Sequence, residues 1–173
     1  MDVQVAVMTS EEALVRLVSG SLDIGIVALP QMTLREQHVQ AWRQSPVLAF
    51  IPTDRKPPRH VTPAWLAAWP LIANDRGTRL LSQTAEWSAE GGEQPQVRIE
   101  LNYNDAMKSL VAAGYGAALL PHEGGAPQPD PRITTRPLKP ALSRALGIAR
   151  RTQLEDDATK VTLQILVDMA QEI

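Results

Sequence analysis

The stretch Val3–Pro30, VQVAVMTSEEALVRLVSGSLDIGIVALP, decides the fold class. Val3, Val5 and Val7 are apolar while Gln4 is polar and Ala6 small, the period of a strand with one better-buried face. Thr9 and Glu12 follow at the spacing of a capping box. Ala13, Leu14, Leu17 and Val18 then recur at helical intervals, and Gly20 stands where a helix end favours a left-handed residue. Leu22–Leu29 is a second apolar strand, closed by Pro30. The same order returns in Val97–Pro121, VRIELNYNDAMKSLVAAGYGAALLP. Here Val97, Ile99 and Leu101 alternate with Arg98 and Glu100, and Asn104 is placed to cap a helix carrying Ala106, Met107, Leu110 and Val111. Gly114 closes that helix, and Ala117–Leu120 is a strand ended by Pro121. Each stretch reads as strand, helix, strand. Such units place parallel strands about a right-handed crossover, so the chain is α/β. Two of them this far apart predict two similar lobes.

Between the copies, Val47–Pro52 reads as a short strand and Thr62-Pro63 as a helix start with proline in its first turn. Trp65, Leu66 and Trp69 give that helix an apolar side. Pro70–Ala73 is a further strand, and Asn74–Thr78 a loop into a helix bearing Leu80, Leu81 and Trp87, stopped at Gly91-Gly92. Residues 121–140 carry Pro121, Pro127, Pro129, Pro131, Pro137 and Pro140, and read as an irregular connection outside the core. Leu146–Ala149 is a late strand, and Asp156 or Asp157 opens a final helix with Val161, Leu163, Ile165, Leu166 and Met169.

The chain has 173 residues, enough for one domain or two small lobes with a real core. Seventeen Lys and Arg against nineteen Asp and Glu leave a formal charge of −2, which speaks against a nucleic-acid-binding face. The absence of cysteine excludes disulfides, thiolate nucleophiles and Cys-ligated zinc. No apolar run approaches the ~20 residues of a membrane span, and the acidic start (Asp2, Glu11, Glu12) does not read as a signal peptide. A cytoplasmic enzyme, binding module or interaction protein all stay open on these grounds.

Several motifs reduce to ordinary roles. Gly114-Tyr115-Gly116 looks like the start of a dinucleotide fingerprint, but it ends a helix and opens a strand, the reverse of that motif's order. His38, His60 and His122 are spread through loop-like sequence with no carboxylate at ligand spacing, so no metal site is expected. There is no nucleophile elbow and no Gly-rich phosphate cradle. Trp65 and Trp69, four apart on one helix, read as packing residues rather than a ligand-stacking surface. The starts of three helices are more informative: Thr9-Ser10, Asn74–Arg79 and Asn102–Asp105 each follow the carboxyl end of a strand. That is where open α/β sheets bind ligands, because helix N-termini present unpaired N–H groups and a positive dipole end. Arg76 and Arg79 add a charged fork suited to a carboxylate.

Three stretches, LVRLVSGSLDIGIV (Leu14–Val27), WLAAWPLIANDRGTRLL (Trp65–Leu81) and NDAMKSLVAAGYGAALLP (Asn104–Pro121), together resemble the effector-binding domain of LysR-type transcriptional regulators. The resemblance runs from about Val3 to the C-terminus. It implies two Rossmann-like lobes joined by two crossing segments, as in type 2 periplasmic binding proteins, with a small-molecule cleft between them. On that pattern lobe I comprises residues 1–30 and 133–173, and lobe II residues 31–132. The effector would sit between helix N-termini, which implicates Thr9, Ser10, Asn74, Arg76, Thr78 and Asn104. The family's N-terminal winged helix-turn-helix and linker helix have no counterpart here, nor do the strand and helix that precede the point equivalent to Val3.

The resemblance implies a cytoplasmic sensor of a small anionic metabolite. It would work in a homo-oligomer that reaches DNA only through a domain absent from this chain. No membrane partner, cofactor, metal or catalytic residue is expected. The other readings are a solute-binding component of a transporter and an enzyme on the same scaffold. With its leading strand missing, lobe I is expected to be the weaker lobe, and the chain to associate.

Overall fold

Most helices start where the sequence supplies a cap or a proline, and the central strands form where apolar residues run on. The structure, a computed structural model, describes residues 3–122, 130–153 and 156–169. In chain order the elements are α1 (Ser10–Ser19), β1 (Ile24–Ala28), β2 (Gln37–Pro52), a 3-10 turn (Thr53–Arg55), α2 (Pro63–Ala67), β3 (Pro70–Ala73) and α3 (Arg79–Glu90). They continue with β4 (Gln96–Glu100), α4 (Asn104–Ala112), β5 (Ala117–Pro121), β6 (Ile133–Arg151) and α5 (Asp157–Asp168). The chain packs as two units, residues 1–44 with 145–173, and residues 45–144. These change over inside β2 and β6, not at 30/31 and 132/133 where the sequence reading drew the division. Both strands are longer than the sequence suggested, and each gives one end to each unit.

In the first unit, the Thr9 hydroxyl accepts from Glu12 N–H at the start of α1, and Gly20 ends the helix at φ 76°, left-handed as its position predicts. Ala13, Leu14 and Leu17 on one face of α1 pack with Val27 of β1 and Ala149 of β6. β1 pairs antiparallel with β6 from Ile24↔Arg150 to Ala28↔Leu146. Gln37, buried at the start of β2, donates Nε2 to Leu14 O at 2.6 Å and ties the helix to the strand. Asp156 caps α5 by accepting from Thr159 N–H, and the Thr159 side chain with that N–H holds the Asp156 carboxyl below its usual range. Trp42 and Arg43 of β2 donate to the carbonyls of Leu166 and Met169 at the far end of α5.

The predicted strand at Val3–Val7 does not form, and Val3, Val5 and Val7 stand 55%, 88% and 96% exposed. The reason lies at the edge it would have joined. Leu29 N–H donates to Ala145 O, so the odd-numbered residues of β1 face β6 and the even-numbered ones face outward. At Ala28 the outward N–H is taken by Ser10 Oγ at 3.0 Å and the outward carbonyl by Gln31 Nε2 at 2.7 Å. Side chains therefore close one end of this edge, and an alternating pattern gains nothing without a partner strand.

In the second unit, β3 lies between β4 and β5 and is parallel to both, while β2 pairs antiparallel with β5 from Val47↔Pro121 to Phe50↔Ala118. Alternate residues fill the two faces. Val47, Ala49, Ile51, Leu71, Ala73, Ala117 and Leu119 pack with Leu66 of α2 and with Leu80 and Trp87 of α3. Phe50, Ile72, Ala118 and Leu120 pack with Met107 and Val111 of α4. A sheet buried on both faces explains why Pro70–Ala73 and Ala117–Pro121 read as unbroken apolar runs. Trp87 is buried and donates Nε1 to Pro140 O at 2.7 Å. Trp65 and Trp69 pack ring to ring at 5.6 Å, as their spacing predicts.

The proline-rich connection is corrected in its second half. Residues 123–129, with Pro127 and Pro129, lie outside the described residues, but Ile133 onward is β6 with Leu138 in the core. Val61 N–H donates to Pro137 O and Lys139 N–H to Val61 O, so Pro137, which lacks a donor, meets its neighbour through its carbonyl alone.

Candidate functional site

The parallel strands β3 and β4 end together, and their exits supply the best-built part of the site. The loop from β3 to α3 carries Asn74, Asp75, Arg76 and Thr78, and the link from β4 to α4 carries Asn102 and Asn104. A reciprocal pair joins them: Asp75 N–H donates to Asn102 Oδ1 at 3.2 Å, and Asn102 Nδ2 donates to Asp75 Oδ2 at 2.7 Å. Leu101 N–H continues the tie by donating to Ala73 O. Asn74 Nδ2 sits 3.8 Å from the Met107 sulfur on the first turns of α4. Asn74, Arg76, Thr78 and Asn104 are thus brought to one end of the second unit, at the carboxyl ends of its parallel strands.

Their hydrogen-bonding capacity differs. The Thr78 hydroxyl accepts from Leu81 N–H and donates to Asp75 O at 2.8 Å, so it caps α3 and braces the loop. Asn104 is the first residue of α4 and not its cap; the cap position is Tyr103, whose side chain makes no capping bond. Among the described helices of nine or more residues, α4 alone starts without a side-chain cap, since Thr9, Thr78 and Asp156 cap the others. Its first-turn N–H groups keep their partial positive charge available. Asn74 likewise caps nothing.

Arg76 is 87% exposed and donates Nε to Glu100 Oε1 at 3.3 Å. This pairing is invisible in the sequence, because Glu100 lies a whole helix and strand away. It leaves the guanidinium's other donors for a ligand while setting a carboxylate beside them. Arg79 pairs with Glu86 further along α3.

Thr9 and Ser10 belong to the first unit. The Thr9 hydroxyl accepts one bond from its own helix, and Ser10 Oγ one from Ala28 N–H, so each keeps its hydroxyl proton free to donate. His38, His60 and His122 are exposed, and no group of three metal-ligating side chains occurs among the described residues.

Strands of one direction, helix N-termini collected at their carboxyl ends and an arginine beside them define a small-molecule-binding domain of the open α/β class. The chain belongs to the LysR substrate-binding domain family, whose model matches residues 1–171. A curated relative, the probable HTH-type transcriptional regulator LrrA of Synechococcus elongatus, is 26% identical over 133 residues. That match covers 75% of this chain and 43% of the relative, so the chain spans less than half the length of that regulator.

Among solved structures, the CcmR regulatory domain of Synechocystis in complex with 2-PG superposes with a TM-score of 0.83 at 18% identity, over 99% of this chain and 85% of that one. The effector-binding domain of QuiR in complex with shikimate gives 0.81 at 14% identity, over 95% and 79%. The fold is the type 2 periplasmic-binding-protein-like one that the family resemblance implied. The chain is a substrate-binding domain of the LysR family, which favours a regulator's domain over a transporter component.

Proposed function

We propose that this domain senses a small anionic metabolite through Asn74, Arg76 and Asn104 of the second unit, with Thr78 holding the loop that presents them. The observation that carries this reading is that the Asp75–Asn102 pair ties the loop bearing the exposed guanidinium of Arg76 to the link that leads into the uncapped N-terminus of α4. Both offer donors to an anion, one through backbone N–H groups and the other through a planar fork. In the full-length regulator the domain would act in the cytoplasm as a homo-oligomer, with effector binding altering the arrangement of the subunits on DNA. Family membership supports a regulator, and no catalytic role is proposed for any of these side chains.

The test is a thermal-shift screen of organic acids followed by calorimetry, since a ligand at a hundred times its Kd adds about 2.7 kcal/mol to the folded state. Arg76→Ala should weaken binding by roughly 1.5–3 kcal/mol, while Arg98→Ala, on the exposed β4, should change it little. Glu100→Gln should tighten binding, because it removes the carboxylate that competes for Arg76. Equal affinities in all three variants would take this loop out of the site.

A further inference from the structure

The second unit contains a cavity at the other end of its strands, where β3 and β5 begin. It has a volume of about 210 Å³, and its lining includes Pro52, Arg55, Trp69, Pro70, Gly116 and Ala117. All of these lie in residues 45–144, and β3 separates the cavity from Asn74 by about 10 Å of strand. We propose that this cavity is a second ligand site, built for a one-ring carboxylate such as a benzoate-like acid.

Three features point to that class. First, the walls are apolar: two prolines, two alanines (Ala68 and Ala117) and the Trp69 indole surround the space. A volume of about seven water molecules suits a single ring and is too small for a nucleotide. Second, the Arg55 guanidinium lies 4.9 Å from the centre of the Trp69 ring. Stacking on the indole fixes the plane of the guanidinium while leaving its edge donors facing outward. Its ion pair with Asp54 is long, at 3.7 Å, and involves Nε, so the two terminal nitrogens remain available to a carboxylate. Lys56 and Arg59 follow in the same exposed loop.

Third, the floor is backbone held by glycine. A Cβ on Gly116 would lie 2.3 Å from Pro70 O, so only glycine lets the start of β5 approach β3 this closely. Gly114, at φ 84°, has nothing within 4 Å of where its Cβ would stand, which keeps that side of the cavity clear. The glycines of the Gly114-Tyr115-Gly116 segment thus shape a cavity wall, a role its spacing in sequence did not reveal.

The test uses benzoate and its uncharged isostere benzamide against the ¹⁵N-labelled chain. Benzoate should shift the Trp69 indole N–H and the Gly114 and Gly116 amides, with a Kd of ~1 mM or tighter. It should leave the Asp75 amide unmoved, and Arg76→Ala should not affect these shifts, which separates this cavity from the proposed effector site. Arg55→Gln should weaken benzoate by at least about tenfold, and benzamide should bind the native chain no better than benzoate binds that variant. Ala68→Leu, at an exposed position on the rim, should block the cavity without lowering Tm. The proposal is overturned if ~10 mM benzoate leaves the Trp69 and Gly116 signals in place, if Arg55→Gln binds as the native chain does, or if benzamide matches benzoate.

Discussion

Removing the Asn102 side chain tests whether the two loops of the candidate site are one structural unit. Asn102→Ala deletes both halves of the pair with Asp75: the bond from Asp75 N–H at 3.2 Å and the charge-assisted bond to the Asp75 carboxylate at 2.7 Å. A neutral bond contributes about 1 kcal/mol and one to a charged group about 1.5–3 kcal/mol. Asn102 is exposed and Asp75 half-buried, so water replaces part of each bond, and the combined loss is set at about 1–2 kcal/mol. Almost all of it should appear locally, because β3 and β4 remain paired by their own ladder. The assay is amide hydrogen exchange at Asp75, whose N–H loses its acceptor. A local loss of that size speeds exchange by roughly fivefold to thirtyfold. Ile72, in the middle of β3, should exchange as before. Unchanged exchange at Asp75 would show that the loop holds its shape without the pair, and equal acceleration at Ile72 would show that the sheet itself had loosened.

Three further outcomes are expected. Hydrogen bonds from the Arg132 side chain, and then from its backbone N–H, hold the Asp130 carboxyl at about 2 against an ordinary 3.8. Its folded value lies below its unfolded one, so this contact supports folding above pH ~3.8 and loses its contribution as pH falls toward 2; a carbon-detected titration with a midpoint near 3.8 would refute it. The isolated chain should not be retained on duplex DNA at ~0.1 M salt, since its net charge of −2 gives phosphates little to attract, and retention would contradict that. The exposed row Val3, Val5 and Val7 should make the chain associate, and Val5→Lys should reduce the association; light scattering that finds the native chain a clean monomer would end this argument.

The elements most legible in the sequence were those whose causes are local. The caps at Thr9 and Thr62, the left-handed Gly20, and the apolar strands Pro70–Ala73 and Ala117–Pro121 all follow from neighbouring residues. The errors arose where a segment's state depends on a distant partner. Val3–Val7 has a strand's alternation and no edge to pair with, so it stays outside the sheet. Residues 133–140 have a loop's composition and become strand because β6 meets Val61 through groups that proline leaves intact. Asn104 carries a cap's chemistry one position too late, and the helix takes Tyr103 as its cap instead.

The same division holds for the site. Helix starts after strand ends are a local pattern, and they mark Asn74, Arg76, Thr78 and Asn104 as candidates without any structure. What each side chain is free to do depends on neighbours that only folding supplies. Thr78 had been counted as a ligand contact, yet both sides of its hydroxyl are used inside the loop. Arg76 had been counted as an open cation, yet Glu100 stands 3.3 Å from it. That carboxylate gives the arginine a second function. On the proposed reading it orients the guanidinium and lowers its pull on an arriving anion. A ligand carboxylate then, on the same reading, meets the guanidinium's other donors while Glu100 holds Nε, so Arg76 adds to affinity and Glu100 tempers it. On the proposed reading, selectivity at this position depends on the Arg76–Glu100 pair, which neither residue alone reveals.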